Sequence, residues 1–399
     1  MAERFDYVIV GGGLAGASAV QGIRELDIKG TILLIGAEKH LPYDRPPLSK
    51  KLWFGKIKVE EIFLHDAVFY KKNSVTLALS TRGSSVDPKK KTVVAGRSAF
   101  GYGKLLLATG GEPRRLDIPG AALVGVSYYR YLDDYLKIRE AAVDGSSAVI
   151  IGGGFIGSEL AAALNKNGVA VTMIYPAPYL VDRVFPEGLG KALQKHYIER
   201  GIRILSGQKP ASFAKKGDRF VTRTESGAEI VSDMVIVGVG IIPSTGLAEG
   251  AGLKTGNGIA VNGRLQTSDP DIYAAGDIAF FPYAALEKSA RIEHWDNSLN
   301  QGVQAGRNMA GANEEFTYMP YFFSDLFDFG YEAVGEVDSS LETFADWQRE
   351  FDTGVIYYLK DNVVRGVMMC NIWDKVSAAR DLIRKKTRLE GKNLAGAIR

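Results

Sequence analysis

Cysteine is almost missing from this chain: one residue, Cys370, in 399. An intrachain disulfide framework and a thiolate metal cluster are therefore excluded. Cys370 sits in VVRGVMMCNIW, an apolar strand-like run, and reads as a buried, inert thiol. Histidine is nearly as scarce, and the four present (His40, His65, His196, His294) lack metal-ligand spacing. Charge of one sign is lacking too: the net charge of +3 is too small to indicate nucleic acid. No apolar run approaches the ~20 residues that span a bilayer. The first strand pattern begins at Phe5, leaving no room for a signal peptide. These absences lead to the expectation of a soluble, cytoplasmic protein with no membrane or nucleic-acid partner. The hydrophobic (46%) and charged (24%) fractions are those of an ordinary globular protein, and the length calls for two or three domains.

Glycine is plentiful and patterned. YVIVGGGLAG places a β-branched run before Gly11-x-Gly13-x-x-Gly16, with Leu14 and Ala15 inside the motif and a helical pattern after it. The run TILLIGAE follows as a second strand ending at Glu38. In this dinucleotide fingerprint Gly11 makes the tight turn, Gly13 lets backbone approach a pyrophosphate and Gly16 lets helix and strand pack closely. The helix N-terminus offers N–H groups to phosphate, and Glu38 is placed for ribose hydroxyls.

The device recurs. AVIIGGGFIGSELAAALNKNG repeats it as Gly152-x-Gly154-x-x-Gly157, with Phe155 and Ile156 inside, and VAVTMIY supplies the next strand. Two fingerprints imply two dinucleotides. The second strand ends in Tyr175, where an NAD site ordinarily has an acid, and no Arg follows until Arg183. NAD(H) and NADP(H) both stay open, with NADH favoured.

Two further strand ends complete a flavin site. YGKLLLATGGEPR ends in Ala108-Thr109-Gly110, and DIYAAGDIA ends in Gly276-Asp277, whose Asp suits a flavin polyol. They flank the second fingerprint, so the FAD domain is split. The expected division is 1–114 with 250–318 for FAD, 115–249 for NAD(P), and 319–399 as a smaller α+β domain. The expected fold is α/β, with two Rossmann-like domains before that C-terminal domain.

PYDRPPLSKKLW, GGGFIGSE, ATGGEPR, AAGDIA and EHWDNSLNQG together resemble the pyridine-nucleotide flavoprotein reductases. Within them they are similar to the ferredoxin reductases of bacterial oxygenase systems and the apoptosis-inducing factor group. The last 80 or so residues particularly resemble the latter, whose second fingerprint strand also ends in an aromatic followed by proline. The resemblance implies FAD, a nicotinamide nucleotide, hydride transfer from NADH, and single electrons leaving to a ferredoxin or rubredoxin. A monomer or homodimer is expected. Disulfide reductases of this fold carry a cysteine pair beside the flavin; this chain has none.

By resemblance Lys50 lies near the reactive edge of the flavin with Glu159 as its partner, the pair tuning the ring. The plainer alternatives are a solvated lysine and a first-turn helix acid. Phe155 would cover the ring and Trp295 would stack beside it, so that nicotinamide enters between them; simple packing is the alternative for each. Glu293 is a candidate for the carboxamide and His294 a polar neighbour. Arg45, and more weakly Arg130, would meet FAD phosphate or ribose. Gly240 joins the cofactor-binding set. Arg380, Arg384, Lys385, Lys386 and Arg388 would steer an acidic carrier or simply solvate a helix. Two other functions stay open: an NADH oxidase or quinone reductase, and an NADH-sensing interaction protein with slow turnover.

Overall fold

Runs of Val, Ile and Leu too short for helices become buried strands. In the computed structural model, which describes residues 2–388 and 391–398, they form two parallel sheets. The chain divides into two units: Met1–Asp44 with Val59–Glu112 and Ile242–Tyr321, and Arg45–Lys58 with Pro113–Ile241 and Phe322–Arg399.

In the first unit the strand order is Val75–Ala78, Ile32–Ile35, Glu3–Val10, Ser98–Leu107. All four are parallel, and Val10 lies opposite both Ile35 and Leu107. Strand Ile272–Ala274 extends the parallel set by pairing with Leu105–Leu107. Antiparallel strands Thr92–Ala95 and Gly83–Asp87 continue the sheet from the other half of Ser98–Leu107. Val8, Leu105, Ile272 and Ile278 are fully buried in its core.

Helices Leu14–Arg24 and Trp295–Met309 pack together in this unit, and small residues set their separation. A Cβ on Gly306 would overlap the Ala19 carbonyl, one on Gly302 the Ala15 carbonyl, and one on Gly22 the Val303 carbonyl. Backbone cannot retreat from such overlaps without moving a whole helix.

The second unit repeats the parallel pattern with strands Arg203–Ser206, Ala170–Tyr175, Ser147–Ile151, Met234–Val237 and Val126–Tyr128, in that order. A three-stranded antiparallel sheet spans residues 210–232. The end of the chain forms a five-stranded sheet in the order Tyr321–Leu326, Phe329–Gly335, Val363–Cys370, Thr353–Lys360, Glu342–Arg349. Helix Val376–Lys385 packs on it through Ala379 and Ile383. Cys370 is fully buried, and burial pushes its thiol well up from the ordinary range.

Sequence reasoning places residues 45–58 in the first domain and starts a third domain at 319. The two-unit division instead groups 45–58 and 322–399 with the inserted stretch, and both carry side chains that bond Glu159. Among the described residues, no helix is long and apolar enough to cross a membrane.

Glycine-to-alanine changes on two helices should move stability in opposite directions. Gly306→Ala forces an overlap and should cost about 1–3 kcal/mol. Gly250, at the end of helix Gly246–Gly250, has nothing within 4 Å of an added Cβ, and Gly250→Ala should gain up to about 1 kcal/mol. Urea unfolding midpoints of the two variants check both signs.

Candidate functional site

Each glycine loop begins where a parallel strand hands over to a helix, and the same contacts are built twice. Gly11 has φ +135°, and a Cβ there would overlap the Ala108 carbonyl; a Cβ on Gly16 would overlap the carbonyl of Gly11. Gly152 has φ +122° and faces the Gly238 carbonyl, while Gly157 faces the carbonyl of Gly152. Gly13 and Gly154 have nothing within 4 Å of an added Cβ. Helices Leu14–Arg24 and Phe155–Lys166 start at these open glycines with no side-chain cap and no acid in the first turn. Their N-terminal N–H groups and partial positive charge therefore suit a phosphate.

Around the first loop, strand Ile32–Ile35 stops short of Glu38, which lies in the following bend. Tyr43 donates to Glu38 Oε2 at 2.5 Å, holding that carboxylate at the sheet end. Thr109 donates to the Ser244 carbonyl at 3.0 Å, beside Gly110 at φ +60°. The Gly276 N–H donates to Gln301 Oε1 at 2.9 Å, and Ser298 donates to Asp277 Oδ1 at 3.1 Å. Gln301 is fully buried, and its Nε2 has no partner among the described residues. Arg291 ties the Asp277 carbonyl to Glu293, with bonds of 3.0 and 2.6 Å. Trp295 donates through its indole N–H to Asp44 at 2.6 Å. Asp44, Tyr43, Arg291, Ser298 and Gln301 were not singled out from sequence, although Ser298 and Gln301 share a helix face three residues apart.

Around the second loop, Tyr175 ends its strand as expected, buried, with its hydroxyl donating to Gln194 at 2.7 Å. Its ring lies against Gly153, where an added Cβ would come within 2.7 Å of it. An aromatic here packs the loop, and burial pushes its phenol pKa upward. Gly240 has φ +90° with open space around it, and its carbonyl accepts from the Arg114 N–H at 2.9 Å. Phe155 is the first residue of its helix, edge-on to Phe322 at 5.6 Å, and Ile156 beside it is exposed.

Four residues along that helix stands the one acid of its buried face. Glu159 is 4% exposed, past the first turn, and accepts three donors. Lys50 Nζ lies 2.6 Å from Oε1, Ser324 Oγ 2.5 Å from the same oxygen, and Ser49 Oγ 2.5 Å from Oε2. Lys50 is itself only 12% exposed, and its ammonium stands over the Phe323 ring at 5.6 Å. The 45–58 segment that carries it is fastened at several points. Pro46–Ser49 forms a short 3-10 turn, Tyr129 and Trp53 both donate to the Leu48 carbonyl, and Tyr135 donates to that of Leu52. Arg45 stacks over Tyr131 at 5.4 Å, and the Arg130 N–H donates to Asp134. Arg384, Lys385, Lys386 and Arg388 are exposed and Arg380 partly so.

Two nucleotide folds, each with an uncapped helix end over an open glycine, define a dinucleotide-dependent oxidoreductase. Residues 5–302 match the family described as pyridine nucleotide-disulphide oxidoreductase, and residues 305–350 and 345–385 match the mitochondrion-associated apoptosis-inducing factor C-terminal family. The chain is 34% identical to apoptosis-inducing factor 1, mitochondrial, of Dictyostelium discoideum, over 98% of this chain and 80% of that protein. It is also 34% identical to the anthranilate 1,2-dioxygenase system ferredoxin–NAD(+) reductase component of Burkholderia cepacia, over 82% of this chain and 81% of that protein. Putidaredoxin reductase, solved in covalent complex with putidaredoxin, superposes with a TM-score of 0.92 at 30% identity, covering 99% of this chain and 96% of that one. The chain belongs to the pyridine nucleotide-disulphide oxidoreductase family, and it is an oxidoreductase that uses FAD and NAD(P)H.

His294, at the start of helix Trp295–Met309, has its pKa pushed down to about 4, chiefly by burial, with Asp277 opposing. An unfolded histidine titrates near 6.5, so between pH 6.5 and 4 the unfolded chain takes up a proton that the native chain refuses. Stability is complete above pH 6.5 and falls by up to roughly 3 kcal/mol as pH drops through that window. In His294→Gln the loss of urea stability between pH 7.5 and pH 5 should shrink by about 2 kcal/mol; an unchanged slope would count against the assignment.

Proposed function

We propose that this chain moves electrons from NADH or NADPH to a one-electron iron–sulfur protein, a ferredoxin or rubredoxin. The observation that carries the choice is the single cysteine, buried and unreactive in the last sheet, which leaves no dithiol to hold an electron pair. The name of the relative from Burkholderia cepacia supports it. FAD, when bound, supplies a hydride acceptor able to pass electrons on singly.

The chain's own residues prepare that chemistry. The Gly11, Gly13, Gly16 loop with Leu14 and Ala15 binds the FAD pyrophosphate, helped by Arg45 and Arg130. Glu38 takes the ribose, and Ala108, Thr109, Gly110, Gly276, Asp277, Glu293 and His294 line the rest. The Gly152, Gly154, Gly157 loop binds the nicotinamide nucleotide with Ile156, Tyr175 and Gly240. By the resemblance, Phe155 would cover the flavin ring and move aside for the nicotinamide, and Trp295 would stack beside a ring. Lys50 presents positive charge to the reactive ring and Glu159 moderates it. The exposed basic residues of 380–388 attract an acidic carrier.

A second reading, a slow NADH-sensing protein, draws on the match to the apoptosis-inducing factor C-terminal family. The long insertion of that group's animal members is missing here: strands Glu342–Arg349 and Thr353–Lys360 are joined by a tight turn. That favours the first reading.

Stopped-flow reduction of the purified yellow protein by NADH and by NADPH, followed by reoxidation in air, with quinone and with an iron–sulfur carrier, decides the matter. Fast reoxidation by the carrier alone is expected. Equal speed in air identifies an oxidase, and a long-lived charge-transfer band with every acceptor identifies the sensor. An ammonium ~4 Å from a reduced ring is worth about 4 kcal/mol at an effective dielectric of 20. With Glu159 cancelling half, Lys50→Met should slow reduction by NADH roughly 30-fold.

A further inference from the structure

The Lys50–Glu159 pair has a third member that comes from the far end of the chain. Ser324 lies on strand Tyr321–Leu326, is 1% exposed, and donates to Glu159 Oε1, the oxygen that Lys50 also holds. The meeting of strand and helix is in register. Phe155 and Glu159 are four residues apart on helix Phe155–Lys166, about 6 Å along its axis. Phe322 and Ser324 are two apart on one strand face, about 7 Å. The first pair of facing side chains meets ring to ring at 5.6 Å, and the second meets hydroxyl to carboxylate at 2.5 Å. Phe323, between them, places its ring beneath the Lys50 ammonium. Three consecutive residues of the last sheet thus touch three groups of the candidate site.

We propose that Ser324 is a positioning residue: its hydroxyl shares Glu159 Oε1 with Lys50 and so sets how much of the lysine's charge is left for the cofactor ring. The inference rests on the FAD reading given above. A carboxylate oxygen has room for two donors, and a hydroxyl dipole aimed at it offsets part of its negative potential. Without that hydroxyl, Glu159 draws Lys50 harder and its own field is less offset. Both effects disfavour added negative charge on a nearby flavin. Loss of the hydroxyl therefore makes reduction harder, while Ser49 still holds the other oxygen.

The test is the two-electron midpoint potential of bound FAD in Ser324→Ala, Ser324→Cys and Ser324→Thr. Cysteine is close to serine in size, so it carries the test if alanine leaves the fold unstable. Ala and Cys should make reduction roughly three- to tenfold less favourable, about 15–30 mV for a two-electron couple, and Thr should restore the wild-type value. In a Glu159→Gln background the same changes should have no effect. An unmoved potential in both Ala and Cys variants overturns the inference, as does an equal shift in the Glu159→Gln background. FAD content is measured first. A wild-type protein without FAD overturns the cofactor reading and this inference with it, whereas FAD-bearing protein with an unmoved potential overturns this inference alone.

Discussion

A carboxylate withdrawn from water has to be surrounded by donors or it costs several kcal/mol, and Glu159 is where this chain meets that demand. The acid sits on the buried face of the second loop helix. Its donors come from a proline-rich segment far upstream and from a strand far downstream. Removing any one of them leaves the charge under-satisfied, so the three segments are bound to a common geometry. The same packing carries the phenols of Tyr197 and Tyr331, both pushed up in pKa by burial and by the field of Glu159. A polar centre of this kind is a poor way to add stability but a good way to specify one arrangement.

Backbone proximity is the second constraint. At both glycine loops a carbonyl occupies the place a side chain would need, and the helix pair of the first unit repeats the device with Gly22, Gly302 and Gly306. These contacts draw helices against sheets and leave each helix N-terminus bare over an open glycine. The bare helix ends therefore result from close packing as much as from the loops themselves.

Much of this was legible in the sequence because it is local. A strand, three spaced glycines and a helix lie within about twenty residues, and both copies fold as the spacing implies. Lys50 and Glu159 were legible only through the resemblance, since nothing in SKKLW or GSELA marks either as a partner. The strand boundary before Glu38 was misplaced because Gly36 and Ala37 continue the apolar run and Gly36 still bonds the neighbouring segment, although the regular strand ends at Ile35. Ser49, Ser324, Gln301 and Asp44 were not foreseen. A buried serine leaves no periodic trace, and Ser324 lies 165 positions from the acid it meets. Grouping 45–58 with the inserted stretch was equally invisible, because it reflects backbone proximity between segments far apart in the chain rather than composition.

The segment at 45–58 also has a history during synthesis. It leaves the ribosome long before the residues that fasten it: Tyr129 is 81 positions later, and Glu159 is 109 positions beyond Lys50. Strand Ile272–Ala274, which completes the first parallel sheet, pairs with residues even more distant in the chain. The nascent protein thus holds an unfinished sheet and an untethered basic loop while the inserted stretch, whose strand Met234–Val237 pairs with Val126–Tyr128, is still being made. Lys50 and Glu159 are both made before the last sheet exists, and Ser324 is made only in the final fifth of the chain. Contacts of such high sequence separation are slow to form. The set of donors around Glu159 is complete only once that last stretch is in place.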